Sequence, residues 1–328
     1  MSDRSPEAVS LRRRLYRRIQ MALLATLVLL LILLLLFLVR FYRPFGKGPA
    51  GPPVNPSPFT ETWTEHPVLL LGLGDSVTAG FGVSAPYGYV ARLAENPPDD
   101  WEDMKGICLK RVLPNLEVMN AAVSGSTSLQ HVNYFDTRLP DSFGEQFGLV
   151  VMTTGGNDLI HNYGRTPPKE GAMYGATLEE ATEWIARFRS RLDEIITRIN
   201  AKFPAGCLIF LADIYDPTDG VGDAASVFLP RWPDGVAILA QYNQCIKECT
   251  EKHNNVFFVP LHDSFLGHGT HCSEPWRPHY CYSDPTYWFG VNIEDPNLRG
   301  FDATRRIFLN EIVKQRATLM SLEIKKMQ

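Results

Sequence analysis

The chain has 328 residues, 45% of them hydrophobic, and a formal net charge of −4. Residues 1–47 carry nine Lys/Arg against two Asp/Glu, which leaves −11 on the remainder. So acidic a remainder repels a phosphate backbone and argues against nucleic acid as a partner.

Residues 19–39 form a twenty-one-residue run without a charge, long enough to cross a bilayer as a helix. Arg4, Arg12, Arg13, Arg14, Arg17 and Arg18 precede it, and Arg40, Arg43 and Lys47 follow it. That bias predicts a cytoplasmic N-terminus and an exoplasmic remainder. A cleaved signal peptide is the competing reading, but its apolar region is usually about 7–15 residues, and no small-x-small site follows directly. The expectation is therefore a basic cytoplasmic arm over 1–18, an uncleaved transmembrane anchor over 19–39 and a single-pass protein. Residues 45–58 are rich in Pro and Gly and poor in apolar side chains, so 40–60 reads as a linker and spacer. The rest, 61–328, is within the range of one α/β domain.

An apolar run, Leu69-Leu70-Leu71-Gly72-Leu73, then stops at Gly74-Asp75-Ser76-Val77-Thr78-Ala79-Gly80. A short Leu-rich run bounded by glycine fits a parallel strand buried on both faces, delivering a serine to the rim of a sheet. Ser76 is the candidate nucleophile. Two similar junctions follow: Asn120-Ala121-Ala122-Val123-Ser124-Gly125-Ser126 after the strand-like 116–119, and Gly155-Gly156-Asn157-Asp158 after the strand-like 149–153. Taken singly, each is also an ordinary turn or cap.

Together and in this order, the three resemble the sequence blocks of the SGNH, or GDSL, hydrolases. The resemblance covers roughly residues 67–315 and implies a three-layer α/β/α sandwich with a mainly parallel, flavodoxin-like sheet. It also implies Ser76 as nucleophile, with Gly125 and Asn157 as oxyanion donors. The chemistry agrees, because acyl transfer from serine builds negative charge on an oxygen that prepositioned N–H groups must receive. The backbone N–H groups of Ser76 and Gly125 and the amide of Asn157 supply three.

Residues 87–95 read as a short helix ended by Asn96-Pro97-Pro98, and 101–113 as ambiguous. Residues 161–174 form a long loop placed above the site. Thr177-Leu178-Glu179-Glu180 is a capping box, after which apolar side chains recur at helical spacing to Phe203, making Trp184 and Phe188 core residues. A strand at 207–214, a helix at 236–252 and a strand at 256–261 continue the alternation, which predicts right-handed parallel crossovers.

The family's last block usually reads Asp-x-x-His-Pro-Asn-x-x-Gly. Here Asn292-Ile293-Glu294-Asp295-Pro296-Asn297-Leu298-Arg299-Gly300 puts Asp295 in the place of the basic histidine and Asn292 in that of its aspartate. An ordinary carboxylate is a weaker base than imidazole toward a serine proton. Three readings follow: a replacement histidine, Asp295 itself as base with a pKa raised by burial, or a silent domain. His262, His268, His271 and His279 lie together after the last strand, and His279 and His268 are the candidates among them. The stretch around His268 resembles one that supports the site loop in some secreted members of the family. His268, His271, Cys272, His279 and Cys281 match no standard zinc spacing, and a Cys272–Cys281 disulfide is the more plausible reading of those cysteines.

The expectation is a membrane-anchored serine esterase, needing no cofactor, that acts through an acyl-serine on a carboxylic ester of a small molecule, lipid or glycan. The alternative is a silent domain that binds an ester or acetylated glycan.

Overall fold

The computed structural model describes residues 6–326, so Arg4 lies outside the described residues. The chain divides into two compact units, Met1–Arg43 and Pro44–Gln328. The first holds one long helix, α1 (Pro6–Phe41). Its Arg12–Leu38 stretch is long and apolar enough to cross a membrane, and equally fits a signal sequence near an N-terminus.

The second unit is built on five parallel strands: β1 (Val68–Gly74), β2 (Leu116–Asn120), β3 (Phe147–Thr153), β4 (Cys207–Ala212) and β5 (Val256–Val259), in the order β2-β1-β3-β4-β5. Every residue of β1, β3 and β4 is buried. This is why they are continuous apolar runs rather than alternating ones. Helices cover both faces. Val68 and Leu70 point into one core, shared with the helices Tyr89–Ala94 and Leu298–Lys314. Leu69, Leu71 and Leu73 point into the other, under Ser128–Arg138, Leu178–Lys202 and Gly235–Lys252. The three-layer α/β/α fold is as expected. The capping box at Thr177 forms, with its hydroxyl on the Glu180 N–H at 3.2 Å. The ambiguous stretch 101–113 resolves into a 3-10 turn, Glu102–Met104, and one helical turn, Leu109–Val112.

The spacer expectation for 45–58 is corrected. From Pro44 onward the segment is a strap on the second unit, with Ala50 and Val54 buried. Its carbonyls and amides are met by groups some 250 residues away. Tyr287 N–H donates to Pro44 O at 2.7 Å, Arg299 donates to Pro49 O at 2.8 Å, and Ala50 N–H donates to Asp302 at 3.1 Å. Gly51, with φ +88, lies so close to Ala303 that a Cβ would sit 2.6 Å from its Cα. Small residues and backbone polar groups dock this strap, so low apolar content did not make it a free spacer.

The cysteines depart from expectation too. All six are free. Cys272 is buried in the core, whereas the Cys281 thiol turns to the Ser283 hydroxyl at 3.3 Å.

Candidate active site

In this strand order the chain reverses direction across the sheet between β1 and β3, and open parallel sheets bind ligands beyond the carboxyl ends of their strands at such a point. Both leading blocks emerge there. Gly74 pairs with Thr153 across the two strand ends. At φ +120, a Cβ on Gly74 would sit 1.9 Å from Thr153 O, so only glycine closes this junction. Ser76 then opens the one-turn helix α2 (Ser76–Ala79).

Asp75 fixes that turn. One of its oxygens, Oδ1, accepts both the Val77 N–H at 3.1 Å and the Thr153 hydroxyl at 2.6 Å. Thr153 in turn meets the Thr78 hydroxyl at 2.8 Å, and Thr78 meets the Tyr89 hydroxyl at 2.8 Å. Because Thr153 gives its proton to a carboxylate, Thr78 must donate to Thr153 and Tyr89 to Thr78. The buried chain therefore points its protons at Asp75. Burial pushes the Asp75 pKa up to about 6, against the pull of the Thr153 and Val77 hydrogen bonds.

The second block is tied to the same strand end. Val123 N–H donates to Gly74 O at 2.9 Å, and Gly125 adopts φ +79, a left-handed turn suited to glycine. Its carbonyl accepts His161 Nε2–H at 2.9 Å, and the next carbonyl, of Ser126, accepts Asn157 Nδ2–H at 2.9 Å. The helix α3 (Gly156–Ile160) thus pins the Gly125 loop, while the second proton of the Asn157 amide stays free to face a substrate. Among the described residues the N–H groups of Ser76 and Gly125 have no acceptor. Asp158 next door is structural: it accepts the Ser128 N–H at 2.8 Å and is buried.

The last block keeps its scaffold although its residue types differ. Asn297 Oδ1 accepts the N–H groups of Arg299 and Gly300 at 2.9 and 3.0 Å, while its amide donates to Tyr287 O and Phe289 O. Gly300 abuts Trp288 O, where a Cβ would be 2.1 Å away. These contacts present Asp295 to Ser76. Asp295 Oδ2 accepts the Asn292 amide at 2.6 Å. Oδ1 is buried without a partner at full hydrogen-bond geometry, and the Ser76 hydroxyl is the neighbouring donor that acts on this carboxylate. A slightly loose contact of this kind is usual before substrate binds. Burial raises the Asp295 pKa from its ordinary value, opposed by the hydrogen bonds of Ser76 and Asn292.

The candidate histidines lie elsewhere. His268 is buried and stacked on Trp288 with ring centroids 3.5 Å apart, its Nδ1–H donating to Thr286 O at 3.1 Å. Burial pushes its pKa down to about 4, so it is a neutral packing residue. His279 is exposed, its ring against Gly220. Neither lines the cavity that Ser76 lines.

That cavity has a volume of about 170 Å³. Ser76 and Asn157 line it, and Leu159, Ile160, Tyr163, Leu229, Trp232 and Leu239 make up much of its apolar wall. Tyr163 and Tyr174 belong to the loop expected above the site, and Ile160 ends the helix α3. Leu229, Trp232 and Leu239 carried no signal in the sequence beyond ordinary core apolarity. Glu294 lines the cavity beside Asp295, its pKa raised to about 7 by burial and then by the Asp295 charge.

No match was found among curated protein sequences. Among solved structures, the chain is similar to a variant of an acetyl xylan esterase from Geobacillus stearothermophilus, with 19% identity, TM-score 0.47, and coverage of 76% of this chain and 97% of that one. It is also similar to the lipase/acylhydrolase from Enterococcus faecalis, with 17% identity, TM-score 0.47, and coverage of 76% and 96%. The sequence profile described as the GDSL-like Lipase/Acylhydrolase family matches residues 73–284, stopping short of Asp295. With that match over most of its length, the chain belongs to the GDSL-like lipase/acylhydrolase family.

Proposed function

We propose that this protein is a serine esterase, anchored to a membrane by α1, that cleaves esters of apolar acyl groups with Asp295 as general base. The observation that carries this reading is that Ser76 adjoins the buried, half-satisfied carboxylate of Asp295 and lines an apolar cavity. Ser76 Oγ attacks the ester carbonyl carbon while its proton passes to Asp295 Oδ1. The resulting oxyanion is received by the N–H groups of Ser76 and Gly125 and the Asn157 amide. The carbonyl re-forms, the C–O bond to the alcohol breaks, and Asp295 returns the proton to the leaving alkoxide. Water then repeats the sequence on the acyl-serine and frees the acid.

A carboxylate can act here because burial raises its pKa, which narrows its deficit against imidazole. Asn292 holds it in place. The cavity sets the acyl group: a dry cavity of roughly 150 Å³ admits a benzene ring, so about six carbons fill this one, and an acetyl group leaves most of it empty.

The test is turnover of aryl esters of graded acyl length by the full chain in detergent micelles, beside Ser76→Ala. The expected result is a maximum in kcat/KM near six carbons, lost in Ser76→Ala. A second reading, a domain that binds without turnover, is motivated by the replacement of histidine by Asp295. It would be supported if esters bound the cavity and none was cleaved at any pH.

A further inference from the structure

His131 is buried, at 3% exposure, and the reaction above does not use it. Its two ring nitrogens meet hydroxyls from two different sequence blocks. Nε2 lies 2.7 Å from the Ser126 hydroxyl, and Nδ1 lies 2.8 Å from the Thr154 hydroxyl. The two backbone oxygens beside the Ser126 hydroxyl, Val123 O at 2.7 Å and Gly74 O at 3.1 Å, can only accept. Ser126 therefore gives them its proton, His131 Nε2–H donates to Ser126 Oγ, and Nδ1 is left to accept the Thr154 proton. One neutral tautomer satisfies every contact, and burial, which pushes the His131 pKa down to about 4, keeps the ring neutral.

The ring joins the two loops that carry oxyanion donors. Ser126 follows Gly125, and Thr154 is three residues before Asn157. Those loops leave β2 and β3, which flank β1 on opposite sides, so no shared ladder sets the distance between them. The ties are side chains: the Asn157 amide on Ser126 O, His161 on Gly125 O, Asp158 on the Ser128 N–H, and His131. The first is made by the oxyanion donor itself, the second by a half-exposed ring, and the third at the start of the next helix. His131 makes the buried tie at Ser126 itself. A misplacement of about 1 Å can cost about 10²-fold in rate. We infer that His131 is a positioning residue that sets the spacing of the Gly125 N–H and the Asn157 amide, so that both reach one oxyanion. The inference rests on the esterase reading above.

The full chain in detergent micelles tests this with a hexanoate aryl ester. His131→Phe keeps a buried ring and loses both hydrogen bonds, so kcat is expected to fall by about tenfold to a hundredfold with KM changed by less than about twofold. His131→Gln, whose amide also donates on one side and accepts on the other, should hold kcat within about fivefold of the unsubstituted chain. In the Asn157→Ala background, where the spacing has lost one of its ends, His131→Phe should cost less than about threefold. Equal losses in the Phe and Gln variants, a loss confined to KM, or the full loss repeated in the Asn157→Ala background overturns the proposal. A Gln variant that folds but falls below its range overturns it whether or not the Phe variant folds. Hydrogen exchange of the Val123 and Ser126 amides, bonded to Gly74 O and Val123 O, is read on the same proteins. It should quicken by about tenfold or more in His131→Phe and stay unchanged in His131→Gln. Unchanged exchange in His131→Phe overturns the positioning. No turnover by the unsubstituted chain together with the expected exchange pattern would uphold the positioning and reject the esterase reading instead.

Discussion

Replacing Asp295 by asparagine isolates the base without disturbing its frame. Asp295 Oδ2 holds the Asn292 amide at 2.6 Å, so the new side chain must turn its oxygen to Asn292, because two NH₂ groups cannot share that contact. Its own NH₂ then faces Ser76, where a donor replaces the acceptor that the serine proton needs. General-base assistance is worth about 10²–10⁴ in rate, or about 3–5 kcal/mol. The predicted result is a fall of that size in kcat with KM for a hexanoate aryl ester changed by less than about threefold, since the cavity is untouched. Stability should not fall, because a buried carboxylate gives way to a neutral amide of the same shape. An unchanged or higher Tm therefore separates lost chemistry from lost fold. The pH profile carries a second check. A base whose folded pKa is raised loses its acceptor as pH falls through that raised value, so the acid limb of the unsubstituted enzyme should lie above the ordinary 3.8. Steady-state kinetics of the full chain in micelles between pH 4 and 9 read both. Activity of Asp295→Asn within threefold of the unsubstituted enzyme at pH 7 would refute the assignment.

Asn157→Ala removes one oxyanion donor and should lower kcat by about 10²–10³ with little change in KM, read in the same assay. Asp75→Asn keeps both acceptor contacts on Oδ1 but removes a charge that burial disfavours. With a folded pKa of about 6 against 3.8, Asp75 stabilises the protein below pH 3.8, and this contribution is lost as pH rises through 6. The variant should match the unsubstituted protein near pH 4 and exceed it by up to about 3 kcal/mol at pH 8, measured by denaturant unfolding at both pH values.

Much of the fold was legible because it rests on short-range signals. Buried strands read as apolar runs, the helix Leu178–Lys202 carries its own cap and periodicity, and Ser76, Gly125 and Asn157 each lie in a small-residue turn just past a strand. The position of Asp295 was legible from Asn297 and Gly300, whose capping and packing hold the loop whatever residue occupies the catalytic place. Its residue type pointed the other way, toward nearby histidines that the structure packs against Trp288 or leaves exposed. The strap was not legible, since its partners, Tyr287, Arg299 and Asp302, lie some 250 residues away and bind its backbone. Nor was the proton-directing chain from Tyr89 through Thr78 and Thr153 to Asp75, in which three strand or helix residues meet only on folding. The Asp75 of the Gly-Asp-Ser turn was the one local hint.

Covalent capture shows whether Ser76 is an activated nucleophile. The full chain in micelles is treated with a fluorophosphonate and the adduct is located by tandem mass spectrometry. A single adduct on Ser76 is expected, absent in Ser76→Ala and formed at least about a hundredfold more slowly in Asp295→Asn. No adduct, or one on another residue with Ser76 unmodified, would contradict it.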